Sequence, residues 1–261
     1  VVMDISPDIR LTLHNAGHII GSSIVHLHVG EGLHNIVYTG DFKYYQTMLL
    51  DAAVTAFPRV ETLITESTYG APEDIMPTRK EAEDKLASII NAAIDKGGKV
   101  LIPVPAVGRA QEIMLVLNEY MQKGLIREVP IYLEGMINEA TAIHVAYPEY
   151  LARDLRDQIL RQGVNPFQSD YFVTIKHPSA RQEVIDGGPS VVLATSGMLE
   201  GGPSIEYFKQ FAPDERNAIL FVSYQIEGTL GKRIKKGLPE TSLINNNGKI
   251  EIIKIGSKVE S

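Results

Sequence analysis

The chain has 261 residues, 44% hydrophobic and 22% charged, which is ordinary for a globular protein with a large core or two joined domains, and its apolar runs fall short of the ~18 residues of a membrane span. Cysteine is absent, which excludes disulfides and thiolate zinc sites, so any metal must be held by histidine and carboxylate side chains. The net charge of -7 counts against a general nucleic-acid binder, although it leaves room for a local basic groove.

The first seventy or so residues predict consecutive strands joined by short turns. The β-rich runs are Arg10–His14, Ser23–Val29, Asn35–Thr39 and Thr62–Thr65. The Glu31-Gly32 pair between the second and third runs is typical of a turn. This pattern indicates an antiparallel sheet.

The remainder of the chain alternates between strands and helices. The predicted strands are Lys99–Val104, Ile131–Leu133, Tyr171–Lys176, Ser190–Thr195, Ala218–Ser223 and, near the end, Lys249–Ile255. The predicted helices cover residues 78–95, 109–122, 138–147, 149–162 and 204–211. Such alternation predicts an α/β layer of parallel strands with helices on both faces.

Two strand ends in the first part carry groups that could bind a metal. His18 lies in a glycine-bearing loop after the first predicted strand, and Asp41 follows the third one in Thr39-Gly40-Asp41-Phe42. Imidazole and carboxylate are ordinary zinc ligands, and a carboxylate can bridge two cations in a hydrolytic site. A surface histidine and a turn aspartate are the alternative interpretation.

Other polar residues of the first part allow two interpretations. Glu66, directly after a strand, could orient a metal ligand or could cap a turn. His26 and His28 alternate along one strand and therefore share a face. A polar sheet face explains this pair better than a metal-binding pair does.

A glycine loop and a lysine cluster are candidate phosphate-binding segments. The loop Thr195–Ser204 stands between a strand and a helix, a context in which backbone N–H groups can cradle a phosphate. A tight turn is its alternative interpretation. Lys232, Lys235 and Lys236 fall on one side of a helix, where they could form a track for RNA phosphates or only a solvated helix face.

Taken together and in order, several motifs resemble the β-CASP branch of the metallo-β-lactamase superfamily. Within this branch the chain is most similar to archaeal homologues of the cleavage and polyadenylation specificity factor nuclease subunit. The similarity runs from about Asp4 to about Ile255 and is carried by HNAGHIIGSS, YTGDF, ITESTYG, KVLIPVPAVGRAQE, SVVLATSGMLEGGPS and VSYQIEGTLGKRI.

The resemblance implies roles for individual residues. His18 would be a zinc ligand, and Asp41 would bridge two zinc ions and act in catalysis. Glu66 would be a catalytic acid that hydrogen-bonds a later histidine. Arg109, in GRAQE, and the loop residues Ser196, Gly197 and Ser204 would contact RNA phosphates.

The resemblance also implies a domain organisation. A partial metallo-β-lactamase αββα sandwich would cover residues 1–70, and an inserted β-CASP domain with a parallel α/β sheet would cover 71–245. Residues 246–261 would return to the first domain as a strand. The family's HxHxDH motif and its two later histidine motifs are not in this sequence, so we expect a chain truncated at both ends that binds zinc incompletely.

The expected function is zinc-dependent hydrolysis of RNA phosphodiester bonds in RNA 3′-end processing or decay, by a cytoplasmic protein without membrane contact. This chain by itself should be inactive. Single-stranded RNA is the expected partner, and a homodimer of the full-length protein stays open. The alternatives are a catalytically silent scaffold subunit of an RNA-processing complex and a DNA nuclease of the same fold.

Overall fold

The computed structural model describes residues 1–245 and 248–261 and divides into two compact units. The first unit contains residues 1–77 and 144–164, and the second contains residues 78–143 and 165–261. The architecture is mixed α/β with a parallel sheet, as predicted.

The first unit is built on a five-stranded sheet in the order β1-β2-β3-β4-β5. Its strands are β1 (Val2–Ser6), β2 (Ile9–Asn15), β3 (Ser23–Val29), β4 (His34–Tyr38) and β5 (Thr62–Ile64). The pairs β2–β3 and β3–β4 are antiparallel, as predicted. The strand β1, which was not predicted, pairs antiparallel with β2, and β5 runs parallel to β4 instead of antiparallel. A small core of Ala16, Ile24, Val37 and Ala53 packs with the partly buried Phe42 and Phe57.

The later segment of the first unit contains a 3-10 turn at Pro148–Tyr150 and the helix α4 (Arg153–Gln162). The predicted helix over 149–162 therefore starts late, because Leu151 and Ala152 are extended. The backbone N–H of Ala152 donates to Leu49 O at 2.8 Å and ties this segment to the rest of its unit.

The second unit is built on a six-stranded sheet in which every neighbouring pair is parallel. The strands lie in the order β13-β10-β6-β9-β7-β8. Their bounds are β6 (Lys99–Pro103), β7 (Ile131–Glu134), β8 (Phe172–Thr174), β9 (Ser190–Ala194), β10 (Ala218–Leu220) and β13 (Lys258–Glu260). All five residues of β9 are buried, as expected for a parallel strand that is covered on both faces.

Helices alternate with the strands of this sheet, and the cap that starts the first of them is visible in the sequence. They are α1 (Arg79–Ile94), α2 (Arg109–Gln122), α3 (Ile137–Ala146), α5 (Arg181–Asp186), α6 (Pro203–Phe211) and α7 (Leu230–Lys235). The Thr78 hydroxyl accepts from Glu81 N while the Glu81 side chain accepts from Thr78 N, a reciprocal cap that fixes the start of α1. The α6 residues Tyr207, Phe208 and Phe211 are fully buried in the core of this unit.

The end of the chain differs from the prediction. β11 (Glu240–Ile244) and β12 (Ile250–Lys254) form an antiparallel hairpin, and β13 pairs with β10. Residues 248–261 therefore belong to the second unit and do not return to the first sheet, because Ile253 packs into the core of the second unit. The predicted boundary at 246 lies outside the described residues, which omit 246 and 247.

Candidate active site

The loop that carries His18 is shaped by Gly17 and Ser22. Gly17 has a φ of 65°, and a Cβ at this position would lie 2.7 Å from Asp51 O, so another residue would be both strained and crowded. The Ser22 hydroxyl accepts the backbone N–H groups of His18 and Ile19, each at 3.2 Å. The backbone of His18 is thus fixed while its imidazole stays exposed.

Asp41 stands opposite this loop, just beyond the end of β4. The backbone N–H of Thr39 donates to Ile64 O at 3.0 Å, and Gly40, with a φ of 55°, turns the chain away from the sheet. His18 Nε2 and Asp41 Oδ2 are 3.9 Å apart, and both side chains are exposed. The structure therefore brings the two predicted metal ligands together, while their role in metal binding stays a prediction.

Glu66 joins this pair through the backbone. The N–H of Phe42 donates to Glu66 Oε1 at 2.9 Å, and the Thr68 hydroxyl donates to Glu66 Oε2 at 2.6 Å. Burial opposes ionisation of Glu66, but these hydrogen bonds and the nearby His18 outweigh it and hold the pKa of the carboxyl below its ordinary value. Glu66 is therefore an ionised group that is coupled to the segment carrying Asp41.

The residues around His18 provide only part of the ligand set that a zinc ion needs. A nitrogen and a carboxylate oxygen 3.9 Å apart could bind the same cation after a small adjustment, and both are donors that zinc accepts. Within residues 1–245 and 248–261, however, no group of three histidine or carboxylate side chains could hold a metal ion. Because a stable zinc site takes about three or four protein ligands, His18 and Asp41 form a partial site.

A histidine cluster in the first unit was not predicted in full. His14 on β2 joins His26 and His28 on β3, with ring centroids 5.8 Å apart for His14 and His26 and 4.0 Å apart for His26 and His28. His26 is only 1% exposed, so the polar sheet face that was predicted is buried at this position. The Phe57 ring contacts both His14 and His26 edge-on. The register of β2 against β3 places His14 beside His26, and this register cannot be read from the sequence.

Hydrogen bonding distinguishes the three histidines. The Nε2 atoms of His14 and His26 are buried without a hydrogen-bond partner, whereas His28 Nδ1 contacts Asn35 Oδ1 at 2.8 Å. Burial lowers the pKa of His14, with a further contribution from His28. Burial also lowers the pKa of His26, assisted by His28 and His14. The cluster is therefore built for neutral imidazoles.

The predicted phosphate loop of the second unit is held by its own side chains. Ser204 is fully buried, and its hydroxyl donates to Ser196 O at 2.8 Å. The Ser196 hydroxyl donates to Gly201 O at 3.2 Å and accepts from Glu200 N at 3.1 Å. A Cβ on Gly197 would lie 2.8 Å from Pro105 Cδ, so this glycine serves close packing. The prediction that Ser204 and Gly197 face RNA is corrected, because both are enclosed by the loop and its neighbours.

Arg109 stands near this loop because of the sheet order. β6 and β9 are parallel neighbours, so the segments that follow them, 104–109 and 195–204, leave the same edge of the sheet. Arg109 is half-buried in the first turn of α2, and none of the ion pairs in the described part of the chain includes it. Its predicted phosphate contact remains untested.

The lysine cluster is partly neutralised by one carboxylate. Lys232 Nζ lies 3.3 Å from Glu227 Oε1, and Lys236 Nζ lies 2.9 Å from Glu227 Oε2. Lys232 lies in α7 and Lys236 directly follows it, and their hydrogen bonds, that of Lys236 foremost, lower the pKa of Glu227. Lys235 is exposed and enters none of the ion pairs found among the described residues.

One buried polar group in the second unit was missed. Glu134, at the end of β7, accepts from Arg181 Nη2 at 2.5 Å and from the Tyr207 hydroxyl at 2.7 Å. Burial and Glu134 raise the pKa of Tyr207, and the hydrogen bond to Glu134 raises the pKa of Arg181. The sequence gives no signal for this group because its members come from separate elements.

The chain is similar to known proteins along its whole length. A model of the Beta-Casp domain matches residues 110–234. The chain is 58% identical over 261 residues to Transcription termination factor FttA of Thermococcus kodakarensis and 59% identical over 261 residues to the protein of the same name from Pyrococcus horikoshii, covering 100% of this chain and 40% of each relative. The protein of that name from Methanocaldococcus jannaschii is 56% identical over 260 residues, 99% of this chain and 41% of the relative. This chain thus spans about 40% of the length of the relatives it matches. Among the described residues, none of the helices combines the length and the apolar character of a membrane span.

Proposed function

Because the chain belongs to the β-CASP family, we propose that the full-length protein is a zinc-dependent ribonuclease that hydrolyses RNA phosphodiester bonds. The observation that carries the proposal is the juxtaposition of His18 and Asp41, 3.9 Å apart at neighbouring strand ends, with Glu66 hydrogen-bonded to the residue after Asp41. An exposed imidazole and carboxylate held by ordered backbone are what a metal-dependent hydrolase requires of its ligands.

His18 and Asp41 would hold zinc, and we propose that further histidine ligands come from the additional length that the relatives have. Bound zinc would lower the pKa of a water molecule and polarise the phosphoryl group. Ser22 keeps the His18 backbone in place through the bonds to the N–H groups of His18 and Ile19. Glu66, ionised and bonded to Phe42 N, would orient a proton donor toward the leaving oxygen.

The names of the relatives suggest the biological setting. They are transcription termination factors, so we propose that the RNA is a transcript whose cleavage generates a new 3′ end. This setting combines the 3′-end processing expected from the motifs with the role that the relatives' names state. Single-stranded RNA would be the substrate class.

The test is a cleavage assay on the full-length protein with labelled single-stranded RNA and with single-stranded DNA of the same sequence. We expect zinc-dependent cleavage of RNA, abolished by Asp41→Asn because a neutral amide is a weak ligand for a cation, and nearly abolished by His18→Ala. An exposed carboxylate elsewhere in the same unit, Glu31, supplies the control variant Glu31→Gln, which should cleave normally.

The alternatives predict different results in the same assay. A DNA nuclease would prefer the DNA strand, and a silent scaffold subunit would bind RNA without cleaving it. Cleavage by the Asp41→Asn protein at the unmutated rate, with its zinc intact, would refute the mechanism.

A further inference from the structure

Two exposed tyrosines follow Asp41 in the sequence Asp41-Phe42-Lys43-Tyr44-Tyr45. Tyr44 is 71% exposed and Tyr45 is 48% exposed. Phe42, by contrast, packs against the small core of the first unit. The core therefore explains Phe42 but gives no reason for two large aromatic side chains at the neighbouring surface positions.

The backbone on both sides of the tyrosines is anchored. Lys43 N donates to Ala16 O at 2.9 Å, and Lys43 O accepts from Ala53 N at 2.9 Å. Farther along, Thr47 N donates to Leu50 O at 3.0 Å. Since Ala16 begins the loop that carries His18, these bonds hold the tyrosine segment beside that loop. The two rings are thus presented from an ordered backbone.

Lys43 also contacts one of the rings directly. Its Nζ lies 4.4 Å from the centroid of the Tyr45 ring, a cation–π contact that restrains both side chains. The Lys43 ammonium places a positive charge next to an aromatic surface that solvent reaches. An aromatic face next to a positive charge matches the two parts of a nucleotide, a flat base and an anionic phosphate.

We propose that Tyr44 and Tyr45 form a stacking platform for nucleobases of single-stranded RNA next to His18 and Asp41, with Lys43 attracting the adjacent phosphate. The proposal rests on the ribonuclease function proposed above and names residues that position its substrate. Stacking on tyrosine accepts any base, so the platform would hold the strand without selecting its sequence.

Binding to the full-length protein in the presence of a metal chelator tests the platform separately from hydrolysis. Tyr44→Ala and Tyr45→Ala should each weaken the affinity for a short single-stranded RNA by about 5- to 150-fold, the range that corresponds to the loss of one stacked base. Tyr44→Phe and Tyr45→Phe retain the ring and should stay within about 2-fold. Tyr150 is 60% exposed in the same unit but lies on a separate turn, so Tyr150→Ala should bind like the unmutated protein.

RNA that lacks individual bases identifies the contact as stacking. Moving one abasic nucleotide along the RNA should reveal positions at which Tyr44→Ala costs no further affinity, because the base that would stack is absent. Unchanged affinity of both alanine variants would overturn the platform, and so would an equal loss on every abasic RNA. If the unmutated protein cleaves RNA and both alanine variants bind RNA normally, the platform alone is refuted. If the unmutated protein does not bind RNA, the proposed function is refuted as well.

Discussion

Glu66 is bonded to the backbone of Phe42, the residue that directly follows Asp41, at 2.9 Å. The carboxylate at the end of one strand thereby fixes the segment that presents a candidate ligand at the end of its neighbour. β4 and β5 run parallel, which is why both ends meet at one edge of the sheet. This bond connects a candidate catalytic residue with a candidate metal ligand through a single peptide unit.

Glu66→Gln in the full-length protein should slow RNA cleavage by about 10- to 100-fold while zinc remains bound, because the amide oxygen can still accept from Phe42 N but the negative charge is gone. Cleavage rates and zinc content measured on the same preparation check this. Zinc loss equal to that of His18→Ala would show instead that Glu66 acts on the metal site itself.

This chain by itself should bind zinc weakly. His18 and Asp41 supply two ligands, whereas a stable zinc site has about three or four protein ligands. Metal analysis after dialysis against a chelator should find well below one zinc ion per chain, and the full-length protein treated in parallel should retain its zinc. Close to two tightly held ions in this chain would contradict the prediction.

The histidine cluster should make the first unit sensitive to acid. His14 and His26 have pKa values below their ordinary 6.5, so the unfolded chain binds more protons than the folded one as the pH falls. The contribution of these two neutral histidines to the free energy of unfolding is therefore complete above about pH 6.5, and it is lost as the pH falls toward their folded-state pKa values.

Urea unfolding should be measured between pH 7.5 and 5, a range that extends about 1 pH unit or more on either side of the ordinary histidine pKa. The quantity to compare is the slope of the unfolding free energy against pH. His14→Gln and His26→Gln should flatten the dependence of the unfolding free energy on pH, whatever they do to its value at pH 7.5 or so. His177 is exposed in the second unit, and His177→Gln should leave the slope intact. An unchanged slope in both cluster variants would exclude these histidines as its source.

The lysine cluster gives a prediction that differs between its members. Because Glu227 already pairs with Lys232 and Lys236, Lys235 is the member best placed to meet a phosphate. Lys235→Gln should weaken RNA binding and lower the slope of log affinity against log salt by about 0.7, the value for one contact with a single strand. Lys80→Gln, on the exposed surface of α1, should change neither quantity. If replacing all three lysines does not change the slope of log affinity against log salt, the lysines form only a solvated helix face and do not contact RNA.

The Glu134 group should contribute strongly to the stability of the second unit. Glu134→Ala would remove the partner of both the Arg181 guanidinium, whose side chain is 18% exposed, and the buried Tyr207 hydroxyl, and should cost about 3–5 kcal/mol in the free energy of unfolding. Lys123→Ala, which removes an exposed ion pair with Glu119, should stay within about 0.5 kcal/mol. Equal unfolding midpoints for the two variants would contradict the assignment.

The sequence predicts those features that depend on local pattern. Alternating side chains identify β2, β3 and β4, buried apolar runs identify β6 and β9, and the Thr78 cap marks the start of α1. His18, Asp41 and Glu66 were identified from their motifs, and the strand order brings them together.

Features that depend on long-range pairing escaped prediction. β13 is a short strand whose place comes from pairing with β10, and His14 joins the histidine cluster only through the register of β2 against β3. The burial of Ser204 follows from how its loop folds back on Ser196, which composition cannot reveal.

The first unit is discontinuous in sequence, since residues 144–164 complete it only after residues 78–143 have contributed to the second unit. During synthesis, the partner that Ala152 provides for Leu49 therefore emerges from the ribosome after most of the first unit and part of the second. Closing the long loop between Leu49 and Ala152 slows folding, because the chain must lose conformational entropy before this distant contact forms. A chain that ends at Pro77 would lack the segment that finishes its own unit, so the first unit should complete its folding during translation only after residue 164 has emerged.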